Sequence, residues 1–299
     1  MHKLRVTAWL AGMMLCSCAA PPAPAGPASP DRITILYDAF GRPSALKQDW
    51  GFSALVEIGG KRVLFDTGNN SDIFAHNVRM LGVDLTRLDF VVISHRHGDH
   101  TDGLRHLLRV NPNVAIYTPR DLYFGGPTPP ALYRRSVAAL PPEMRYFGGR
   151  PPDAVPHGTP WEHARFMQIE KATEVAPGFH LIPTTSQAPG TLEMNELSLS
   201  VRTPSGQVVL CGCSHPGIEK ILDGVTAVDP NLRLMAGGLH LTTAPDAAIA
   251  ATSAALRDKY RLQQIAPGHC TGEPAFAALR EQFGSRYLEA GLGAVIELR

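Results

Sequence analysis

From residue 32 onward the chain alternates short apolar runs with clusters of Gly, Pro, Asn and Asp. Runs over 33–37, 53–58 and 62–65 carry the β-branched and aromatic residues of strands. Ile58-Gly59-Gly60-Lys61 supplies a hairpin turn between the last two. Ser71 or Asp72 is placed to cap a helix reaching about Leu81. A strand over 90–93, a helix over 101–110 and a strand over 114–117 follow. The second half predicts strands over 179–183, 197–202, 208–212, 233–236, 263–266 and 294–298. Between them the 3.6-residue period predicts helices over 216–222, 246–260 and 273–283. No internal repeat interrupts this order. Strands and helices alternating in this way fit a layered α/β domain with mixed sheets.

Two segments break the pattern. Residues 125–160 are rich in Gly and Pro and lack a sustained period. They mark an insertion, about 119–165, that is either a lid near the site or a surface excursion. At the other end, Met1-His2-Lys3-Leu4-Arg5 is basic and residues 6–15 are apolar. Leu15-Cys16-Ser17-Cys18 then resembles the cleavage box of bacterial lipoproteins, departing from it at Cys16, where a smaller residue is usual. The expected organisation is a signal peptide over 1–17, then a lipidated Cys18 and a Pro-rich tether over 18–31, then one domain over 32–299. An ordinary secretory signal cut near Ala19-Ala20 is the alternative. Both imply export, either anchored to a membrane facing the periplasm or as a soluble periplasmic or secreted protein.

Composition narrows the partners. The formal net charge of +1 over 299 residues offers no electrostatic case for nucleic acid. A hydrophobic fraction of 44% fits a filled core, and at 7% aromatics no stacking platform is suggested. No segment after the N-terminus is long and apolar enough to span a bilayer, so a lipid anchor is the only membrane contact expected. Of five cysteines, Cys16 and Cys18 belong to the export segment. Cys211, Cys213 and Cys270 remain, an odd number, all near histidines, so metal or active-site roles compete with disulfides. A Cys211–Cys213 bridge is disfavoured, because the two lie too close on an extended backbone.

The chemistry concentrates in His95-Arg96-His97-Gly98-Asp99-His100, at the end of the apolar run 88–94. Imidazole and carboxylate suit a borderline cation such as zinc. His95 and His97 share a side of an extended backbone, and Gly98 permits a turn that swings Asp99 and His100 to a second position. One ion cannot easily use all four side chains and keep an open coordination site; two can. Three further motifs place an imidazole just past a strand end: Gly212-Cys213-Ser214-His215, Gly237-Gly238-Leu239-His240-Leu241 and Pro267-Gly268-His269-Cys270-Thr271-Gly272. Strand ends of this kind are where α/β enzymes gather their sites.

The first motif is similar to the signature of the metallo-β-lactamase superfamily, and Val63-Leu64-Phe65-Asp66-Thr67-Gly68 resembles its early motif. The resemblance covers about residues 32–299 and implies an αββα sandwich of two mixed β-sheets flanked by helices. The three later motifs, with Asn77, Leu81-Gly82-Val83-Asp84 and Tyr37-Asp38, look most like the branch related to dihydropterin–ribofuranosylaminobenzene-phosphate synthase. By this resemblance His95 and His97 bind one metal, Asp99 and His100 the other, and His269 completes the second site. Many hydrolases carry a mid-chain His turn where this chain has Gln187, and His215 is the best replacement. Cys213 falls where a bridging Asp is usual, and a thiolate is an acceptable zinc ligand. Asp66 supports the site without binding metal. His240 belongs at the site edge as a substrate contact or proton donor. His76, His106, His157, His163 and His180 are expected to be structural or solvated.

The expected cofactors are therefore two divalent ions, zinc first, with iron or manganese as alternatives. A close pair of cations activates water and polarises a carbonyl or phosphoryl oxygen. Asp99 can orient the nucleophile besides binding metal. The expected activity is hydrolysis of an ester, lactone, amide or phosphoester of a small molecule. A pterin-pathway synthase-like enzyme and a non-catalytic metal- or ligand-binding lipoprotein are the alternatives.

Overall fold

A computed structural model describes residues 30–128, 137–155, 157–187 and 194–298. The expected signal peptide, Cys18 and most of the Pro-rich tether lie outside the described residues. Six strands, β1 (Arg32–Tyr37), β2 (Ser53–Ile58), β3 (Lys61–Phe65), β4 (Phe90–Val92), β5 (Ala115–Pro119) and β6 (Arg165–Ile169), belong to the first sheet. The second holds β7 (Thr173–Ala176), β8 (Phe179–Thr185), β9 (Asn195–Thr203), β10 (Gly206–Cys211), β11 (Leu232–Gly238) and β12 (Gln264–Gly268). The last strand, β13 (Val295–Glu297), returns to the first sheet. The strand orders are β13-β1-β2-β3-β4-β5-β6 and β12-β11-β10-β9-β8-β7. Both sheets are mixed: β3 through β6 run parallel while β1–β2 is antiparallel, and β10 through β12 run parallel while β9–β10 is antiparallel.

Strand alternation assigns each apolar residue to a layer. Ala54, Val56, Val63, Phe65, Phe90 and Val92 face Leu199, Val208 and Leu210 across the inter-sheet core. Their neighbours Leu55, Leu64, Val91 and Ile93 point outward, under α1 (Ser71–Met80) and α3 (Leu104–Val110). On the other side Val209, Cys211 and Met235 point outward, packing with α4 (Ile218–Thr226) and α6 (Glu273–Phe283). The αββα sandwich expected from the resemblance is the fold observed. No helix among the described residues is long and apolar enough to cross a membrane.

Several element boundaries differ from expectation. Asn70, not Ser71 or Asp72, caps α1, its side chain accepting from Asp72 N and Ile73 N. The helix expected over 101–110 is two pieces, α2 (Gly98–Thr101) and α3. They break at Gly103, which packs so closely on the backbone of Thr67 that any side chain there would clash. The first piece starts inside the His cluster, so Asp99 and His100 sit on a helical turn. The helix over 246–260 is regular only as α5 (Asp246–Ala254), then widens into a π turn over Ala255–Lys259. β6 and β7 were not expected from the apolar pattern. Each has only partial burial, so neither carries a clean period-2 signal.

This topology brings the ends of β3, β4, β10, β11 and β12 to one edge of the sandwich. Residues 66, 94–100, 212–215, 239–240 and 269–270 follow those strand ends directly.

Candidate metal centre

Three imidazoles at this edge, His95, His100 and His215, are aimed by a partner on one nitrogen, which fixes where the other points. Asp66, fully buried, accepts from Ser94 N and Ser94 Oγ, both at 2.7 Å. The same carboxylate lies 2.7 Å from His100 Nδ1, so His100 Nε2 turns inward, 3.2 Å from Cys213 Sγ and 3.6 Å from Asp99 Oδ2. Ser94 Oγ also meets His95 Nδ1 at 2.9 Å, leaving His95 Nε2 3.1 Å from His97 Nδ1. His215 Nδ1 lies 3.1 Å from Glu196 Oε2. His269 Nε2 lies 3.3 Å from Asp99 Oδ2.

The donor atoms form overlapping triads, each with its atoms within 4.8 Å of one another. His95, His97 and His215 make one, and Asp99, His100 and His269 a second. Cys213 makes a third with His95 and His100, which places its sulfur between the first two. Cys213, His240 and Cys270 make a fourth at the wall. All seven residues expected as metal ligands are thus brought together. His240 is exposed at the edge, its ring centroid 4.4 Å from that of His215. Cys211 is kept away, because Gly212 separates it from Cys213 and it packs in the outer helical layer. His76, His106, His157, His163 and His180 join none of the triads. Gln187 is exposed after β8.

The donor set fits metal. Nδ1 of His269 is buried without a hydrogen-bond partner, and Nε2 faces only the Asp99 carboxylate at 3.3 Å. An orphaned buried polar group costs about 1–3 kcal/mol, which a bound cation would offset. The electrostatics also favour ligands in their binding form. Burial and the neighbouring imidazoles hold His95 well below the usual histidine range, and burial with His215 brings His97 down to about 4. Burial alone would raise Asp99, but His269, His100 and His97 outweigh it and keep the carboxylate ionised. His100 is the exception: burial opposes its charge, yet the Asp66 carboxylate raises it to about 9 by holding a proton on Nδ1. A metal at Nε2 would displace the second ring proton and leave Nδ1–H on Asp66.

Burial raises both Cys213 and Cys270, and the two lie too close to ionise together. The first thiolate forms at Cys270, beside Cys213, His240 and His269, and the Cys213 thiol is pushed up. Four non-glycine residues around this edge hold left-handed backbones: Asp66 (φ 56°), Ser214 (65°), His240 (52°) and His269 (49°). Such conformations cost energy and persist where surrounding contacts impose them.

Four further side chains support the site, and of these Glu196 escaped the sequence reading. Glu196 accepts from three consecutive backbone amides, Cys213 N (3.0 Å), Ser214 N (2.7 Å) and His215 N (3.0 Å), besides facing the His215 ring. Ser94 links Asp66 to His95. Asp38, pushed up to about 8 by burial, accepts from His269 N at 2.9 Å. Cys270 donates to Cys213 O at 3.6 Å. The other three carried a signal, Ser94 at the head of the His95–His100 motif, Asp38 within the Tyr37-Asp38 pair and Cys270 beside His269.

The sequence pattern of the metallo-beta-lactamase superfamily matches residues 51–269, running from the glycine packed on Asp99 to the last histidine of the cluster. The chain belongs to this superfamily. Among its relatives is the 7,8-dihydropterin-6-methyl-4-(beta-D-ribofuranosyl)-aminobenzene-5'-phosphate synthase of Methanocaldococcus jannaschii. The two are 26% identical over 290 residues, covering 88% of this chain and 95% of the synthase. A ribonuclease Z of Nanoarchaeum equitans is 34% identical over 96 residues, 30% of this chain and 29% of that one. Among solved structures, a metal-dependent hydrolase of the beta-lactamase superfamily superposes with a TM-score of 0.66 at 26% identity, covering 90% of this chain and 99% of that one. This superfamily member therefore shares fold and length with relatives described both as synthase and as hydrolase.

Proposed function

We propose that this protein is an exported hydrolase that holds two divalent ions and acts on an ester, lactone, amide or phosphoester of a small molecule. The observation that carries the reading is the pair of triads, His95–His97–His215 and Asp99–His100–His269, with Cys213 between them. Two close divalent ions supply activated water near neutral pH and a Lewis acid for a carbonyl or phosphoryl oxygen. The protein's own residues do the rest. Asp66, Ser94 and Glu196 fix the tautomer and direction of His100, His95 and His215. Asp99 serves as an acceptor that orients the nucleophile. His240, exposed beside His215, meets the substrate or hands a proton to the leaving group. Zinc suits the mixed imidazole, carboxylate and thiol donors, and iron or manganese suits most of them. A near-zero net charge supports a small molecule over nucleic acid. Export rests on residues 1–20 of the sequence, and a lipid on Cys18 accounts for membrane attachment.

The synthase reading is the second one, favoured by similarity to the archaeal synthase along nearly the whole of both chains. An export segment argues against it, since cofactor synthesis is cytosolic work. The deciding experiment strips the protein of metal, reloads it with zinc, manganese or iron, and assays it against ester, lactone, amide and phosphoester panels and a dihydropterin condensation. Wild type should bind about two ions and hydrolyse one class; His97→Ala and Asp99→Ala should lose metal and activity together. Full metal content and activity in both variants would defeat the site assignment. Condensation without hydrolysis would establish the synthase reading instead.

A further inference from the structure

Trp50 stands 47% exposed at the edge of the centre, its ring centroid 4.9 Å from that of His269. The contrast with Trp161 is direct. That indole is 8% exposed and packs with Tyr123, Phe124 and Phe166, as a structural tryptophan does. Among the described residues, the ring contacts of Trp50 are confined to His269.

The segment carrying Trp50 is tied down on both sides. Asp49 N donates to Asp38 O at 3.3 Å, and the Asp49 carboxylate accepts a short hydrogen bond from Tyr37 Oη and one from Asn69 Nδ2 at 3.4 Å. Phe52 N donates to Asp99 O at 3.1 Å, and Gly68 N donates to Phe52 O at 3.0 Å. Between them Gly51, at φ +143°, presses so closely that a Cβ would lie 2.5 Å from Asp99 O. The fold thus fixes a large aromatic ring in water next to a buried imidazole of the Asp99–His100–His269 triad. A half-exposed indole contributes little to the core, while a rigid aromatic face costs little entropy when a ligand stacks on it.

We infer that Trp50 is a stacking wall for the substrate, and that the substrate carries a planar aromatic or heteroaromatic ring beside the group that reacts. The inference rests on the proposed reading of the neighbouring triads as the reaction centre. A reacting group held between the triads places its ring over Trp50 at the His269 end and meets His240 at the His215 end.

The test uses the metal-loaded protein and two probes of like charge and size, benzoate and cyclohexanecarboxylate, of which only the first is planar. Binding is read by calorimetry, and benzyl and cyclohexylmethyl esters, whose alkoxide leaving groups are alike, are compared for kcat/KM. Wild type should favour benzoate by about three- to tenfold, the range of an aromatic pair. Trp50→Phe should keep the preference. Trp50→Ala should abolish it with metal content unchanged. A preference that survives Trp50→Ala, or is absent from wild type, overturns the inference. So does loss of metal in Trp50→Ala with equal weakening of both probes, which would make Trp50 a shield for His269. A Trp50-dependent benzoate preference without turnover of any ester, lactone, amide or phosphoester would sink the hydrolase reading while leaving the stacking wall in place. Turnover of both esters with no aromatic preference would do the reverse.

Discussion

Oε2 of Glu196 lies 3.1 Å from Nδ1 of His215, and the two side chains are 0% and 5% exposed. The same carboxylate gathers the backbone amides of residues 213–215. Burial opposes its charge, but His215 and these amides outweigh that and hold Glu196 below the usual carboxylate range. One buried anion therefore shapes the loop that presents both Cys213 and His215.

Glu196→Gln should weaken the ion held by His95, His97 and His215 by about 10- to 100-fold, the usual effect of losing an outer-shell partner. The ion at Asp99, His100 and His269 should be much less affected. Competition with a chelator, followed by elemental analysis, reads the two affinities. Equal loss at both positions, or at neither, would refute a role confined to the His215 loop.

Cys213 separates from Cys211 in a cobalt-loaded sample. A metal-bound thiol is deprotonated, so a sulfur-to-metal charge-transfer band should appear in the near ultraviolet. Cys213→Ser should remove it and lower affinity, whereas Cys211→Ser should keep it, because Cys211 packs against the outer helices. A band that persists in Cys213→Ser would take that sulfur out of the coordination set.

Without metal, the protein should lose stability as pH climbs from about 6.5 to 9. His97 falls from 6.5 to about 4 on folding, so the unfolded chain binds more protons between those values and stability rises with pH there. His100 rises from 6.5 to about 9, so the folded chain binds more protons in that interval and stability falls as pH climbs through it. Asp38, raised from 3.8 to about 8, also binds more protons in the folded chain, so it offsets the His97 rise below pH 6.5 and adds to the fall above it. Denaturant titrations of chelator-treated protein from pH 4 to 9 give the curve. A steady rise to pH 9 would show that Asp66 does not hold a proton on His100.

For export, Cys18→Ser should move the protein from membrane to soluble fractions, with mass spectrometry of the wild-type N-terminus as the check. An unmodified N-terminus beginning beyond Cys18 would leave secretion without an anchor.

The donors were legible because they are local. His95 to His100 form one short run, and His215, His240 and His269 each follow an apolar strand within four residues. Their supports were not. Glu196 falls just before the strand expected over 197–202, and its place within β9 emerges only in the fold. The break at Gly103 depends on Thr67, a contact no helical period encodes. Edge strands β6 and β7 are short and mostly half-buried, so little of a period registers in them. Trp50 has no periodic or motif context at all.

The donors also divide by sheet. His95, His97, Asp99 and His100 follow β4 of the first sheet, whereas Cys213, His215 and His269 follow β10 and β12 of the second. Ions shared by the two groups would act as a clasp along the open rim of the sandwich. A chain exported unfolded would then have to find its metal beyond the membrane, and the ions taken up there would fasten the first half of the domain to the last.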